Sequence, residues 1–114
     1  MRDDRFYLLH TAECISSVEE YVAGGQESFM ETTLIQDAVL RNLQILGESA
    51  GRISVEAKAR YPDVDWRGII GLRNVIVHDY LGITLIRVWE VIEHDLPTFK
   101  NQVEAMLRDL EAHP

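Results

Sequence analysis

Apolar residues recur every three or four positions along most of this chain, the spacing of a helix with one buried face. Leu8, Ala12, Ile15, Val18 and Val22 line such a face. Gly24 and Gly25 then supply a stop, because glycine readily takes the left-handed conformation at a helix end. The segment "QESFMETT" reads as a polar link or as the start of the next helix. Val39, Leu43, Leu46, Ala50 and Ile53 make the strongest amphipathic stripe, with Asp37, Arg41, Gln44 and Glu48 on other faces. In "YPDVDW", Pro62 ends the preceding helix and Asp63 or Asp65 can cap the next. A third helix runs from about Trp66, with Ile69, Leu72 and Ile76 on one face, and Gly82 ends it. Thr84 is a good N-cap for a fourth helix, which buries Leu85, Val88, Trp89 and Ile92. At Pro97 the chain kinks or restarts, since proline removes a backbone donor; Phe99, Val103, Met106 and Leu110 then continue the pattern. No segment reads as a strand, repeat, low-complexity tract or linker. The expected fold is all-α, an antiparallel four- to five-helix bundle forming one domain over residues 1–114.

Two features break the regular pattern. Gly47 and Gly51 lie one turn apart inside the second long helix, where each costs roughly 1 kcal/mol against alanine. Close approach of another backbone at that face would offset the cost; a kink at Gly51 is the plainer alternative. The other feature is "RNVIVHDYLG", from Arg73 to Gly82, where Arg73, Asn74, His78, Asp79 and Tyr80 interrupt an apolar run.

Bulk properties narrow the possibilities. At 114 residues and 46% hydrophobic, the chain can bury a core without disulfides or metal. No apolar run reaches the length of a membrane span, and the N-terminus lacks the long apolar stretch of a signal peptide. Cys14 is the single cysteine, so no internal disulfide can form, and a cytoplasmic location is the default. Cys14 itself reads as a small core residue rather than a reactive thiol. The net charge of −8 argues against a general nucleic-acid coat, which needs a basic surface. It leaves room for a local cluster of arginines or for a basic protein partner.

Several chemistries are poor fits. A di-iron bundle needs Glu-x-x-His on each of two helices, whereas Glu90 and Glu93 stand four and one residues before His94. His78–Asp79 and His94–Asp95 both suggest a metal phosphohydrolase, yet further ligands at matching positions are missing; His94–Asp95 reads as a solvated junction near Pro97. "GESAGR" lacks the Gly-Lys-Ser/Thr ending of a phosphate loop, and no serine sits in a glycine-framed nucleophile turn. Nothing here calls for a metal or cofactor.

Within the polar stretch, Arg73 and Tyr80 share a face, and Asn74 and His78 share a neighbouring one. Arg73 and His78 diverge by about 140° on an ideal helix. They could meet at one ligand if the helix frays, or if a two-fold dimer brings two copies together. Such a cleft would suit RNA cleavage, in which a ribose 2′-hydroxyl attacks the adjacent phosphate. Histidine can move the protons, arginine can fork onto phosphate oxygens, and Asn74 can orient the histidine or bind substrate. The ordinary alternative is that Arg73 pairs with Asp79 or Glu48, that His78 is structural, and that Tyr80 anchors a hydrogen bond. On residue types alone that alternative stands ahead of catalysis.

The motif also resembles a known signature. "RNVIVHDY" is similar to the Arg-x4-His-x-Tyr pattern of HepT-like proteins in the HEPN superfamily, with Arg73, His78 and Tyr80 at the motif positions. The flanks "QDAVLRNLQILGESAGRIS", "YPDVDWRGIIGLRNVIVHDYLGI" and "VWEVIEHDLPTF" resemble the family's corresponding segments, from about Gln36 to Phe99. The resemblance implies an all-helical homodimer with paired motifs lining a cleft. It implies a toxin of a two-component toxin–antitoxin system, acting on RNA as a metal-independent endoribonuclease. It also implies a partner, a MntA-type minimal nucleotidyltransferase antitoxin that transfers AMP from ATP to the motif tyrosine. Carried over by position, Arg73 and His78 are catalytic, Asn74 is auxiliary, and Tyr80 is the site of AMPylation. Arg41, Arg52, Arg67 and Arg73 are then expected to supply positive potential near the cleft. The other readings are a non-catalytic helical accessory subunit for a nucleotidyltransferase and a purely structural dimerisation bundle.

Overall fold

The computed structural model describes residues 3–78 and 84–113. In chain order the helices are α1 (Asp4–Tyr21), α2 (Gln26–Glu31), α3 (Thr33–Gly51), α4 (Val55–Ala59), α5 (Trp66–His78), α6 (Leu85–Glu90) and α7 (Leu96–Ala112). A π-helical turn, Val91–Asp95, joins α6 to α7, so the two read as one long rod. The described residues contain no strand. Four rods therefore make the bundle, and the short helices α2 and α4 sit at the links. The all-α expectation holds.

Each rod is explained by its stripe. Leu8, Ile15 and Val18 of α1 are buried, as are Val39, Leu43, Leu46 and Ala50 of α3. Phe99, Val103 and Met106 of α7 close the core from the other side. "QESFMETT" proves to be mostly helical. Its Phe29 is fully buried and stacks on Trp89 with ring centroids 5.5 Å apart. Gly25 has φ 92°, the left-handed value that permits the turn between α1 and α2.

The start of α5 is set as the sequence suggests. Asp65 Oδ1 accepts the Gly68 N–H at 3.1 Å, satisfying one of the free donors of a helix start. Thr84 occupies the N-cap of α6, but its side chain makes no capping hydrogen bond. Pro97 lies in the first turn of α7, where its missing N–H costs nothing, so the helix restarts there directly after the π turn. His94 and Asp95 at that junction are exposed. Gly82, expected to end α5, lies outside the described residues.

α1 and α3 run antiparallel and are tied at two levels. Ser49 Oγ lies 3.0 Å from His10 Nδ1. Near the end of the pair, the Asp4 carboxylate accepts both the backbone N–H and the hydroxyl of Ser54 at 2.7 Å. α3 in turn runs antiparallel to α5, and that contact builds the candidate site.

Candidate active site

Gly47 decides how closely α5 approaches α3. A Cβ on Gly47 would lie 3.0 Å from the Arg73 backbone nitrogen, 3.1 Å from the Ile69 carbonyl oxygen and 3.2 Å from Arg73 Cβ. The first two are backbone atoms and the third is fixed to the backbone, so none can rotate aside. The expected close approach is thus real at Gly47, and it falls on Arg73. Gly51 is different: its nearest contact is the Ile70 side chain at 3.8 Å, and it is the last residue of α3 rather than a kink.

Arg73 projects from that contact with 44% of its side chain exposed. Its Nε donates to Glu48 Oε1 at 3.4 Å, a long hydrogen bond reinforced by the opposite charges. Its Nη1 donates to Asn74 Oδ1 at 3.2 Å. The structure thus joins Arg73, Asn74 and Glu48. Asn74 engages the arginine through its Oδ1. Glu48, one of the two carboxylates proposed from sequence as an ion-pair partner, meets it; the other, Asp79, lies outside the described residues. His78 is the last residue of α5, but its side chain lies outside what is described, as do Asp79 and Tyr80 entirely.

The other arginines do not converge on one point. Arg41, Arg52 and Arg67 are all exposed. Arg41 lies within α3 and Arg52 caps its end, about 16 Å apart along the axis at 1.5 Å per residue. Arg67 is the second residue of α5.

The alternatives carry less chemistry. A groove of about 320 Å³ is floored by Ile69, Leu72 and Phe99 and edged by Asp63, Asp65 and Asp95. Those carboxylates would repel a phosphate backbone. Ser49 and His10 form a serine–histidine pair, but Ser49 is only 4% exposed, so a substrate cannot reach it. Cys14 is buried, and burial first, then nearby Glu13, pushes its thiol from the ordinary 9.0 up to about 11. That is the opposite of an activated nucleophile. Among the described residues, no group of three or more His, Cys, Asp or Glu side chains gathers as for a metal ion. No helix among them is long and apolar enough to cross a membrane.

Sequence reasoning missed two ties that hold this frame. One is the Asp4–Ser54 pairing; the other is the hydrogen bond from the Tyr61 hydroxyl to the Asp109 carboxylate, which raises the tyrosine pKa. Each joins residues far apart in sequence, and neither forms a local pattern.

Comparison with known proteins bears on the whole chain. The family model described as "Ribonuclease HepT-like" matches residues 11–106. A Methanocaldococcus jannaschii protein named as a candidate RNase is 33% identical over 104 residues, covering 90% of this chain and 95% of the relative. A Thermococcus cleftensis protein named "Probable ribonuclease HepT" is 30% identical over 106 residues, 92% of this chain and 96% of the relative. A longer Methanocaldococcus jannaschii protein, whose name joins gamma-glutamylcyclotransferase to a candidate RNase, is 30% identical over 111 residues; the match takes 96% of this chain and 50% of that relative. This chain therefore spans half the length of that protein. No solved structure matches. The family match covers the core helices and the whole of the α3–α5 contact, and this chain belongs to the HepT-like ribonuclease family.

Proposed function

We propose that this chain is the toxin of a toxin–antitoxin pair, an endoribonuclease that cuts RNA without a metal. The observation that carries this reading is Arg73. It is seated by backbone contact at Gly47, half exposed, and among the described residues only Glu48 and Asn74 engage its donors, which leaves others for a ligand. A guanidinium so placed can take a phosphate and stabilise the charge that grows on it during cleavage.

In the proposed reaction the RNA 2′-hydroxyl attacks the neighbouring phosphorus and the 5′-oxygen leaves. One histidine accepts the hydroxyl proton and another donates a proton to the leaving oxygen. His78 and its copy in a two-fold homodimer would serve these roles, because Arg73 and His78 diverge by about 140° on one ideal helix. Asn74 helps hold the arginine. The partner is a MntA-type nucleotidyltransferase antitoxin, which transfers AMP from ATP to the Tyr80 hydroxyl with release of pyrophosphate. The added phosphate and bulk then occupy the place of RNA. The site of action is the cytoplasm.

The experiment is RNA cleavage by the purified protein, freed of any partner, with EDTA present. Cleavage is expected, and His78→Ala should abolish it while the helical circular-dichroism signal is kept. Equal cleavage by that variant removes His78 from the mechanism. Intact mass after co-expression with a nucleotidyltransferase partner should show AMP additions that vanish in Tyr80→Phe. The net charge of −8 also suits a second reading, an accessory subunit that binds a protein partner without cutting RNA. Stable partner binding with neither cleavage nor growth inhibition would favour it.

A further inference from the structure

The contacts around Arg73 divide its guanidinium into two edges. Nε faces Glu48 and Nη1 donates one hydrogen to Asn74. A guanidinium has five N–H donors, and among the described residues no acceptor meets the second Nη1 hydrogen or the two on Nη2. One hydrogen from each Nη makes the end-on edge, which can grip two phosphate oxygens at once when Asn74 takes the outer Nη1 hydrogen; the other Nη2 hydrogen lies on the Nε side. Glu48 follows Gly47 directly in the chain, so the contact that seats the Arg73 backbone also places the carboxylate beside its side chain.

We infer that Glu48 is a positioning residue: it holds the Arg73 side chain from the Nε side and so reserves the end-on edge for an RNA phosphate. The inference rests on the ribonuclease reading for its functional consequence, but its structural half stands apart from it. Glu48 has two opposing effects. Its orientation of Arg73 favours the transition state, whereas its negative charge, 41% exposed beside the site, opposes the arrival of a phosphate. Removing the carboxylate should therefore move kcat and KM in the same direction. A residue that only stabilised the fold would have no such signature, and an exposed ion pair adds little stability in any case.

Glu48→Ala and Glu48→Gln separate the two effects. The alanine variant frees the guanidinium, and a loss of fixed geometry is expected to lower kcat by roughly 10- to 100-fold. KM should fall because a repelling charge has gone. The glutamine variant still accepts from Nε, so it should recover a large part of kcat while keeping the lowered KM. Unchanged kcat in Glu48→Ala, with wild-type protein active, overturns the inference and leaves the nuclease reading intact.

A second measurement does not need activity. In the full chain, the Arg73 Nε–H NMR resonance should be slow to exchange with water in wild type and fast in Glu48→Ala. Addition of a 2′-deoxy-substituted RNA oligonucleotide, which cannot be cut, should shift the Nη signals more than Nε. Identical Nε–H exchange in the two proteins overturns the inference even if no RNA is ever cleaved. Absence of cleavage by wild type, with this NMR difference present, overturns the ribonuclease reading alone.

Discussion

Arg73 presents five donors, and among the described residues two side-chain acceptors, on Glu48 and Asn74, meet them; the balance is what a phosphate needs. Lysine would keep the charge and lose the fork. Arg73→Lys is therefore expected to cut RNA about 100-fold more slowly than wild type in single-turnover assays, since a mispositioned contact at a reacting centre costs on that order. Its stability should change by no more than about 1 kcal/mol in urea melts, because the pairing it loses is exposed. Cys14 is the contrasting residue. Its folded-state thiol sits at about 11 against an ordinary 9.0, so the neutral form is the one the fold favours. The raised value means this contribution to stability is complete below pH 9 and is lost as pH rises through about 11. Alkylation of the native protein with iodoacetamide at pH 8 should be far slower than in urea, and a rate equal to that of a free thiol would contradict the burial.

At the scale of elements, the α3–α5 contact is the critical joint. A methyl on Gly47 would meet the backbone of α5 at 3.0 Å, so either helix must move. Gly47→Ala gains about 1 kcal/mol of intrinsic helix propensity. Overpacking against backbone costs about 1–3 kcal/mol, so a net loss of up to about 2 kcal/mol is expected. A melt more stable than wild type would show that α5 yields easily. Gly51→Ala is the control: its nearest neighbour is a side chain at 3.8 Å, so the propensity gain meets little resistance there. The Asp4–Ser54 tie can be tested in the same assay. Asp4→Ala removes two charge-assisted hydrogen bonds to Ser54, and a loss of about 1.5–3 kcal/mol is expected.

The whole molecule carries a net charge of −8, with 11 lysines and arginines against 19 aspartates and glutamates. An RNA bound here can therefore touch few cations. Binding of an uncleavable RNA should weaken with salt along a shallow log–log slope of about −2, as expected for two to four phosphate contacts on single strands. A slope several times steeper would place the RNA on a wider surface. The acidic groove edged by Asp63, Asp65 and Asp95 should stay free of RNA in such a titration.

Much of this architecture is legible in the chain itself. Leu8, Ile15, Val18, Val39, Leu43, Leu46, Phe99, Val103 and Met106 were all placed on buried faces by spacing, and all are buried. Helix periodicity is a local property, so sequence alone determines it, together with the proline and glycine stops. The Arg-x4-His-x-Tyr order and its flanks likewise indicated the family. The tertiary structure decided what depends on distance across the bundle. It assigned the cost of Gly47 to a contact with Arg73, reduced Gly51 to a helix end, brought Glu48 to Arg73, and turned Asn74 toward the arginine. Those outcomes follow from how closely two antiparallel helices pack and in which register, and residues 25 apart in sequence leave no local pattern that could announce it.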